Sequence, residues 1–351
     1  MAYEFHNITA ITDVPALVGS FAQSIGWEAD LSTPTQPIIS RPQGHDSNSG
    51  SNSASPLSDA IRWRITAIAA GSNHVLSAEA YEETLGVITT TINSRARFLA
   101  PSLTSGIQTP HTVYLVGSMN PEPYLGIIVE YPGQIFPHMY IGNMEKIGNY
   151  EGGEVVSATD GPANSTANLI SYTSYDHMKY LFQSKSNRQA FADCGGVYVD
   201  HPSNATKWRR FRGVDTSTNP HQSMPTGIAL GGFLDSINDG YLARARSPFA
   251  GQSVLVPINL YANENIVGDA IYRPIGRPAG IRMVNMQDLQ PGQEIIVGGK
   301  LFRCFPSHCR RFETQMTRTG SGGLVPRDFE TSLWVGYAYA VDEEDSNSAG
   351  A

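Results

Sequence analysis

Between Asp13 and Ile25 apolar residues return every third or fourth position. Val14, Leu17, Val18, Phe21 and Ile25 form one stripe on a 3.6-residue period, which predicts an amphipathic helix. Asp13 is placed to cap its start. Pro15 sits in the first turn, where a missing N–H costs nothing, and Gly26 suits the position just past the end. Trp27 is expected to fold back onto the stripe, which makes this a packing helix. From Ile61 the period changes to two. In IRWRITAI, Ile61, Trp63 and Ile65 fall on one face and Arg62, Arg64 and Thr66 on the other, as in a half-buried strand. VLSAEAY, from Val75, reads as a second strand, and the stretch after it to about residue 108 is poorly patterned.

HTVYLVGSM and YLGIIVEY, joined by NPEP, predict a hairpin. GVYVDH, VLVPINLYA and AIYRPIG read as short strands between Gly, Pro and Asn turns. LQPGQEIIVGGKLFRCFP is a strand, a Gly298-Gly299 turn and a strand; SLWVGYAYAV, 332–341, is the last one. A helix could form around Asp176 to Gln183. Residues 41–59, RPQGHDSNSGSNSASPLSD, offer one leucine against an ordering cost of about 1–2 kcal/mol per residue, so a mobile loop between two strands is expected. The acidic end, 342–351, is expected to be a disordered tail.

The chain then divides into an N-terminal helix and sheet unit (1–155), a β-rich middle that is a candidate insertion (156–290), C-terminal strands completing the sheet (291–341) and the tail. The fold class is α+β but predominantly β, with antiparallel, sandwich-like sheets and long loops.

Composition supports that class. The 351 residues suit one large or two moderate domains. Only 16% are charged, and glycine (34) and proline (22) are common, the profile of a turn-rich β protein. A net charge of −8 argues against nucleic acid as a partner. The local exception is KWRRFR, where Trp208, Arg209, Arg210, Phe211 and Arg212 mix aromatics with cations. Such a run could bind single strands or anionic glycans, and it also marks protein interfaces; it is the candidate interface patch. No apolar run reaches the ~18 residues of a membrane helix, so no membrane partner is expected. The start lacks a basic n-region and an apolar h-region, so synthesis in a cytoplasm is expected.

The chemistry is sparse. Cys304, His308 and Cys309 in CFPSHC, with Cys194 at a distance, could be zinc ligands, but the spacing departs from a zinc knuckle and buried thiols on a strand fit better. His138, His201, His221 and His308 neighbour prolines or loops and read as surface or hydrogen-bonded histidines. No G-x-S-x-G stands in a strand-turn-helix context, no HExxH occurs, and the acids sit in no distinctive frame. No catalytic residue, metal or cofactor is assigned.

The densest motif is FPHMYIGNMEKIGNYEGGE, 136–154. A phosphate loop would need a helix after the glycines; EVVSATDG follows instead, and Glu145, Glu151 and Glu154 would repel an anion. Tyr140, Gly142, Asn143, Glu145, Lys146, Gly148, Tyr150, Gly152 and Gly153 therefore read as a structural turn system. Its glycines are expected to give positive-φ turns and its aromatics to pack inward.

Three segments resemble a family of virion structural proteins encoded in the tail modules of tailed bacteriophages. They are DVPALVGSFAQSIGWEAD, the hairpin leading into YIGNMEKIGNYEGGE, and the strand pair FRCFPSHCR and VGYAYAV. Together they span roughly a third of the chain. The resemblance implies a structural role in a tail, neck or baseplate and no known activity. It also implies partners that are further copies of the chain, as a ring, together with other phage tail proteins, within a virion assembled in the bacterial cytoplasm. Two alternatives stay open: a host-surface glycan-binding module, and a polysaccharide or peptidoglycan hydrolase.

Overall fold

The computed structural model describes residues 3–40, 61–148 and 255–306 with short breaks, and 156–160, 196–200, 208–211, 316–318, 324–326 and 335–341. The 41–59 loop, the 176–183 helix and the 342–351 tail lie outside them. The chain begins with β1 (Tyr3–Asn7), a 3-10 turn (Ile11–Asp13), helix α1 (Val14–Ser24), β2 (Glu28–Asp30) and β3 (Ile38–Ser40). Long strands β4 (Ile61–Ala70), β5 (Asn73–Thr84) and β6 (Val87–Leu99) precede a ribbon of β7 (Ser102–Leu103) and β8 (Gly106–Ile107). The hairpin and the glycine run form β9 (Thr112–Ser118), β10 (Tyr124–Glu130), β11 (His138–Gly142) and β12 (Met144–Lys146). Then follow β13 (Val156–Asp160), β14 (Gly196–Asp200), β15 (Trp208–Phe211), β16 (Leu255–Pro257), β17 (Leu260–Ile266) and β18 (Asp269–Pro278). The C-terminal part holds β19 (Ile281–Asn285), β20 (Gln293–Val297), β21 (Lys300–Pro306), β22 (Met316–Arg318), β23 (Leu324–Pro326) and β24 (Val335–Val341). The class is as the sequence predicts: mostly antiparallel strand with one short N-terminal helix.

The described strands build three layers. In the middle lies a seven-stranded sheet, ordered β1-β9-β10-β11-β13-β14-β15. Its inner strands β10 and β11 are buried on both faces, which is why YLGIIVE reads as an unbroken apolar run. Leu125, Ile127 and Val129 of β10 pack with α1 and the five-stranded sheet β2-β3-β4-β5-β6. Tyr124 and Ile128, alternating with them, pack with the five-stranded sheet β16-β19-β24-β21-β20 on the other side. A three-stranded sheet, β12-β18-β17, is attached through β12.

The helical stripe packs as expected. Val14, Val18 and Phe21 are buried, and Trp27 joins their cluster while its backbone N–H donates to the Ala22 carbonyl at 2.9 Å. Gly26 has φ +96 and ends the helix. Asp13 departs from expectation. The 3-10 turn makes it helical already (φ −77, ψ −25), so its carboxylate reaches back and accepts from the Ala10 N–H at 3.0 Å and the Thr9 N–H at 3.2 Å instead of capping α1.

Two further readings are corrected. The poorly patterned stretch before residue 108 contains β6, 13 residues long. Its pairing with β5 shifts register near Glu79/Tyr81 and again at Glu82/Glu83, which breaks the period-two signal. The C-terminal strands do not complete the first sheet, and the boundary at 290 does not hold. β19 of the middle region pairs with β24, so β16 and β19 share one sheet with β20, β21 and β24, while β13–β15 extend the central sheet.

Candidate functional site

The glycine run marks a junction of sheets. At Gly142 the chain leaves the central sheet, and after Asn143 it pairs as β12 with β18, Met144 opposite Pro278 and Lys146 opposite Gly276. Gly142 is not the positive-φ turn residue expected from sequence. It lies in strand geometry, and a Cβ there would stand 2.6 Å from the Cβ of Tyr124 on the neighbouring strand. Close approach of backbones, and no special dihedral, excludes a side chain. Gly148 does adopt φ +69.

Asn143 and Tyr140 clasp two other segments. The Asn143 N–H donates to the Pro123 carbonyl at 2.9 Å, and its own carbonyl accepts from the Ala279 N–H at 3.0 Å. Its side-chain Nδ2 lies 3.4 Å from Glu122 Oε2. The Tyr140 hydroxyl donates to the Ala279 carbonyl at 2.8 Å. Both polar groups of the Ala279 backbone are thus held by the run, and Ala279–Gly280 is the turn that joins β18 to β19. Burial raises the Tyr140 phenol well above its ordinary value, so this donor keeps its proton. The Tyr124 ring lies parallel to that of Tyr140 at 6.0 Å and its hydroxyl donates to the Ala340 carbonyl, fastening the last strand to the same point.

Beside the junction lies a cleft of about 170 Å³, lined among others by Glu122, Tyr124, Glu145, Arg282, Lys300 and Val341. Arg282 and Glu145 pair at 3.4 Å across it, both partly exposed, so the pair adds little stability. Local sequence does not bring Arg282 or Lys300 to Glu145, because these residues stand more than a hundred positions away, and Glu122 reaches the cleft only through the pairing of β10 with β11.

His138, whose sequence setting points to a surface or hydrogen-bonded histidine, is fully buried and hydrogen-bonded. Nε2 faces the Pro306 carbonyl at 2.8 Å, which can only accept, so Nε2 carries the proton. Nδ1 then accepts from the Tyr339 hydroxyl at 2.9 Å. The residue pins the central sheet to β21 and β24. Cys304 on β21 is buried and its thiol is pushed up to about 12 by desolvation. Among the described residues no group of three His, Cys, Asp or Glu is placed to hold a metal ion, and no helix is long and apolar enough to cross a membrane.

Trp208, Arg209, Arg210 and Phe211 of the candidate interface patch form β15, the terminal strand of the central sheet. Tyr150, Gly152, Gly153, Arg212, Cys194, His201, His221, His308 and Cys309 lie outside the described residues.

The fold and the junction define a predominantly antiparallel β protein whose densest motif ties sheets together. No protein-family model and no curated protein matches the chain.

Proposed function

We propose that this chain is a structural component of a bacteriophage virion, a tail, neck or baseplate protein that assembles as a ring-forming oligomer. The observation that carries this reading is the use made of the glycine run. The same residues that carry the resemblance to tail proteins, Tyr140, Gly142 and Asn143, spend their polar atoms and their lack of bulk on holding the β18–β19 turn and the β9–β10 hairpin. A motif spent on rigidity suits a particle component, whose work is to hold shape under load. The test is quantitative peptide mass spectrometry on density-banded, nuclease-treated phage particles. The expected result is this chain at a fixed copy number that matches a closed ring. Its absence from particles while abundant in the lysate would remove the proposal.

A second reading, a host-surface glycan-binding module, has one observation in its favour. The cleft at the junction is lined by Glu122, Glu145, Arg282 and Lys300, groups able to hydrogen-bond sugar hydroxyls. Glycan-array binding that disappears in Arg282→Ala would move this reading ahead of a purely structural one.

A further inference from the structure

β1 is an edge of the central sheet, with β9 as its single neighbour among the described strands. The residues that follow it do not return to fill the open side. Ile8 and Ile11 are buried in the cluster of α1, and the 3-10 turn leads straight into that helix. The ladder fixes which way the backbone of β1 points. The Ile8 N–H donates to the His111 carbonyl at 2.9 Å, and bonded positions alternate along an antiparallel pair. Glu4 and His6 therefore bond to β9, while the N–H and C=O groups of Tyr3, Phe5 and Asn7 point away from it. No hydrogen bond among the described residues reaches those outward groups. The usual guards of a solvent edge are missing: β1 holds no proline and no lysine, and its pairing with β9 runs without a bulge. Phe5, at its centre, is 60% exposed. Its ring ends an aromatic series that runs out of the core, meeting Tyr114 at 6.5 Å, which meets Phe305 at 5.1 Å.

The order of side chains decides what can pair there. Tyr3, Phe5 and Asn7 alternate with Glu4 and His6, so the acid and the base share the opposite face. The two stand 3.0 Å apart, their side chains 41% and 35% exposed. Laid antiparallel on a second β1 with Phe5 opposite Phe5, the strand sets Tyr3 opposite Asn7 and Glu4 opposite His6. The whole strand overlaps, and every outward N–H and C=O meets a partner. Each Glu4 carboxylate then has two imidazoles beside it, its own and the other copy's. Centring the pair one residue earlier would put Glu4 opposite Glu4, and one residue later His6 opposite His6, with a shorter overlap in both cases.

We propose that two copies of this chain pair through β1, antiparallel about Phe5, so that the central sheet runs on from one copy into the other. The contact is isologous: the same residues lie on both sides of a two-fold axis. It goes beyond the ring reading above, because a larger ring needs a second and different surface.

The experiment is sedimentation velocity on the full chain over a wide concentration series, since one short strand per copy lies at the small end of stable interfaces. Wild type is expected to pass from monomer to dimer. Phe5→Pro keeps the β1–β9 ladder, whose bonds do not use the Phe5 N–H, and removes the central donor of the pair. It is expected to abolish the dimer within that range. His6→Glu sets carboxylate against carboxylate and is expected to weaken pairing roughly tenfold, and Glu4→Arg/His6→Glu to recover most of the loss. Thermal unfolding of each variant is the folding control. A second measurement reads the register. In a Cys194→Ser/Cys309→Ser background, Phe5→Cys is expected to give a disulfide-linked dimer on oxidation, because opposed Cα atoms of a bonded pair stand about 5.5 Å apart. Asn7→Cys, at a position opposed by Tyr3, is expected to give none. A wild type that stays monomeric, a dimer untouched by Phe5→Pro, or self-linking of Asn7→Cys in place of Phe5→Cys would each overturn the proposal. If larger oligomers form and Phe5→Pro leaves them intact, this contact fails while the ring reading stands. If pairs form but the chain is missing from particles, the contact stands and the virion reading fails.

Discussion

The two faces of the central sheet are made of different material. Toward α1 and the β2–β6 sheet, the strands present Val113, Leu115, Leu125, Ile127, Val129, Met139 and Ile141, an aliphatic surface. Toward the C-terminal sheet they present Tyr114, Tyr124, His138 and Tyr140; the last three find polar partners across the layers, while the Tyr114 hydroxyl donates to Glu130 within the same sheet. The first face is held by area. Each buried aliphatic side chain contributes about 1.5–3 kcal/mol, with little demand on where its neighbour sits. The second face adds directional bonds between segments far apart in sequence: Tyr140 to Ala279, Tyr124 to Ala340, His138 to Pro306 and Tyr339. The first kind of packing asks little of exact position, whereas sliding the C-terminal sheet would stretch the bonds of the second beyond hydrogen-bond range. The aromatic face therefore fixes position, and the aliphatic face supplies bulk stability.

The sharpest way to break the aromatic face is Gly280→Val. Gly280 has φ +62, and a Cβ there would run into the Tyr124 ring. Strain in the left-handed region and overpacking add, so a loss of about 3–5 kcal/mol is expected, read as a fall in thermal midpoint or failure to fold. A midpoint within a degree or two of wild type would show that the junction gives way easily, against the contrast drawn above.

Next comes a matched pair of neighbours on opposite faces. His138→Leu keeps most of the volume but leaves the Pro306 carbonyl and the Tyr339 hydroxyl buried without their partner, at a cost of about 2–4 kcal/mol. Met139→Leu, one residue along and equally buried, is expected to cost less than about 1.5 kcal/mol. Denaturant titration of both proteins measures the difference, and equal losses would erase the distinction between the faces.

What the sequence made legible follows the same division. The α1 stripe, the β4 alternation, the β9–β10 hairpin and the Gly298-Gly299 turn are local patterns, and they stand in the structure where their periods put them. The aliphatic face is legible because burial on both sides leaves a continuous apolar run. The aromatic face is not. Nothing near Tyr140 announces Ala279, and nothing near His138 announces Pro306, since those partners arrive from 139 and 168 residues away. Within the described part of the run, 140–148, the glycine spacing points to a positive φ at Gly142, and the structure gives another reason for the glycine: a backbone contact with Tyr124 on the neighbouring strand, which leaves no trace in local sequence. β6 was hidden for a related cause, because its register shifts are set by the partner strand.

A smaller effect is expected from Tyr140→Phe, about 1–2 kcal/mol at neutral pH, because the Ala279 carbonyl loses its hydroxyl donor. Its pH dependence has a definite sign. The folded phenol is raised above its ordinary value of 10, so the folded state holds the proton more tightly than the unfolded chain. Its contribution is complete below pH 10 and is lost as pH climbs beyond it. Cys304, raised from 9.0 to about 12, adds the same trend over that window. Wild-type stability is therefore expected to fall on raising the pH from 9 to 12, and Tyr140→Phe to fall less steeply, in urea titrations at a series of pH values. Parallel slopes would mean that the Tyr140 phenol titrates alike in the folded and unfolded states.

The smallest change gives the cleanest comparison. Tyr131 packs in the aliphatic cluster, and its hydroxyl is buried with no hydrogen-bond partner among the described residues. Burial alone raises its phenol. Here the oxygen contributes nothing to position and carries a desolvation cost, so Tyr131→Phe is expected to be neutral or to stabilise by up to about 1 kcal/mol. The same chemical change, one oxygen removed from a buried tyrosine, then has opposite signs on the two faces. Chemical denaturation of Tyr131→Phe, Tyr140→Phe and the double variant decides it. Additive effects of opposite sign support the division, because the two hydroxyls belong to separate clusters. Two losses of equal size would mean that the hydroxyl of Tyr131 finds a partner in solution, and that the aliphatic face is held by directed bonds as well.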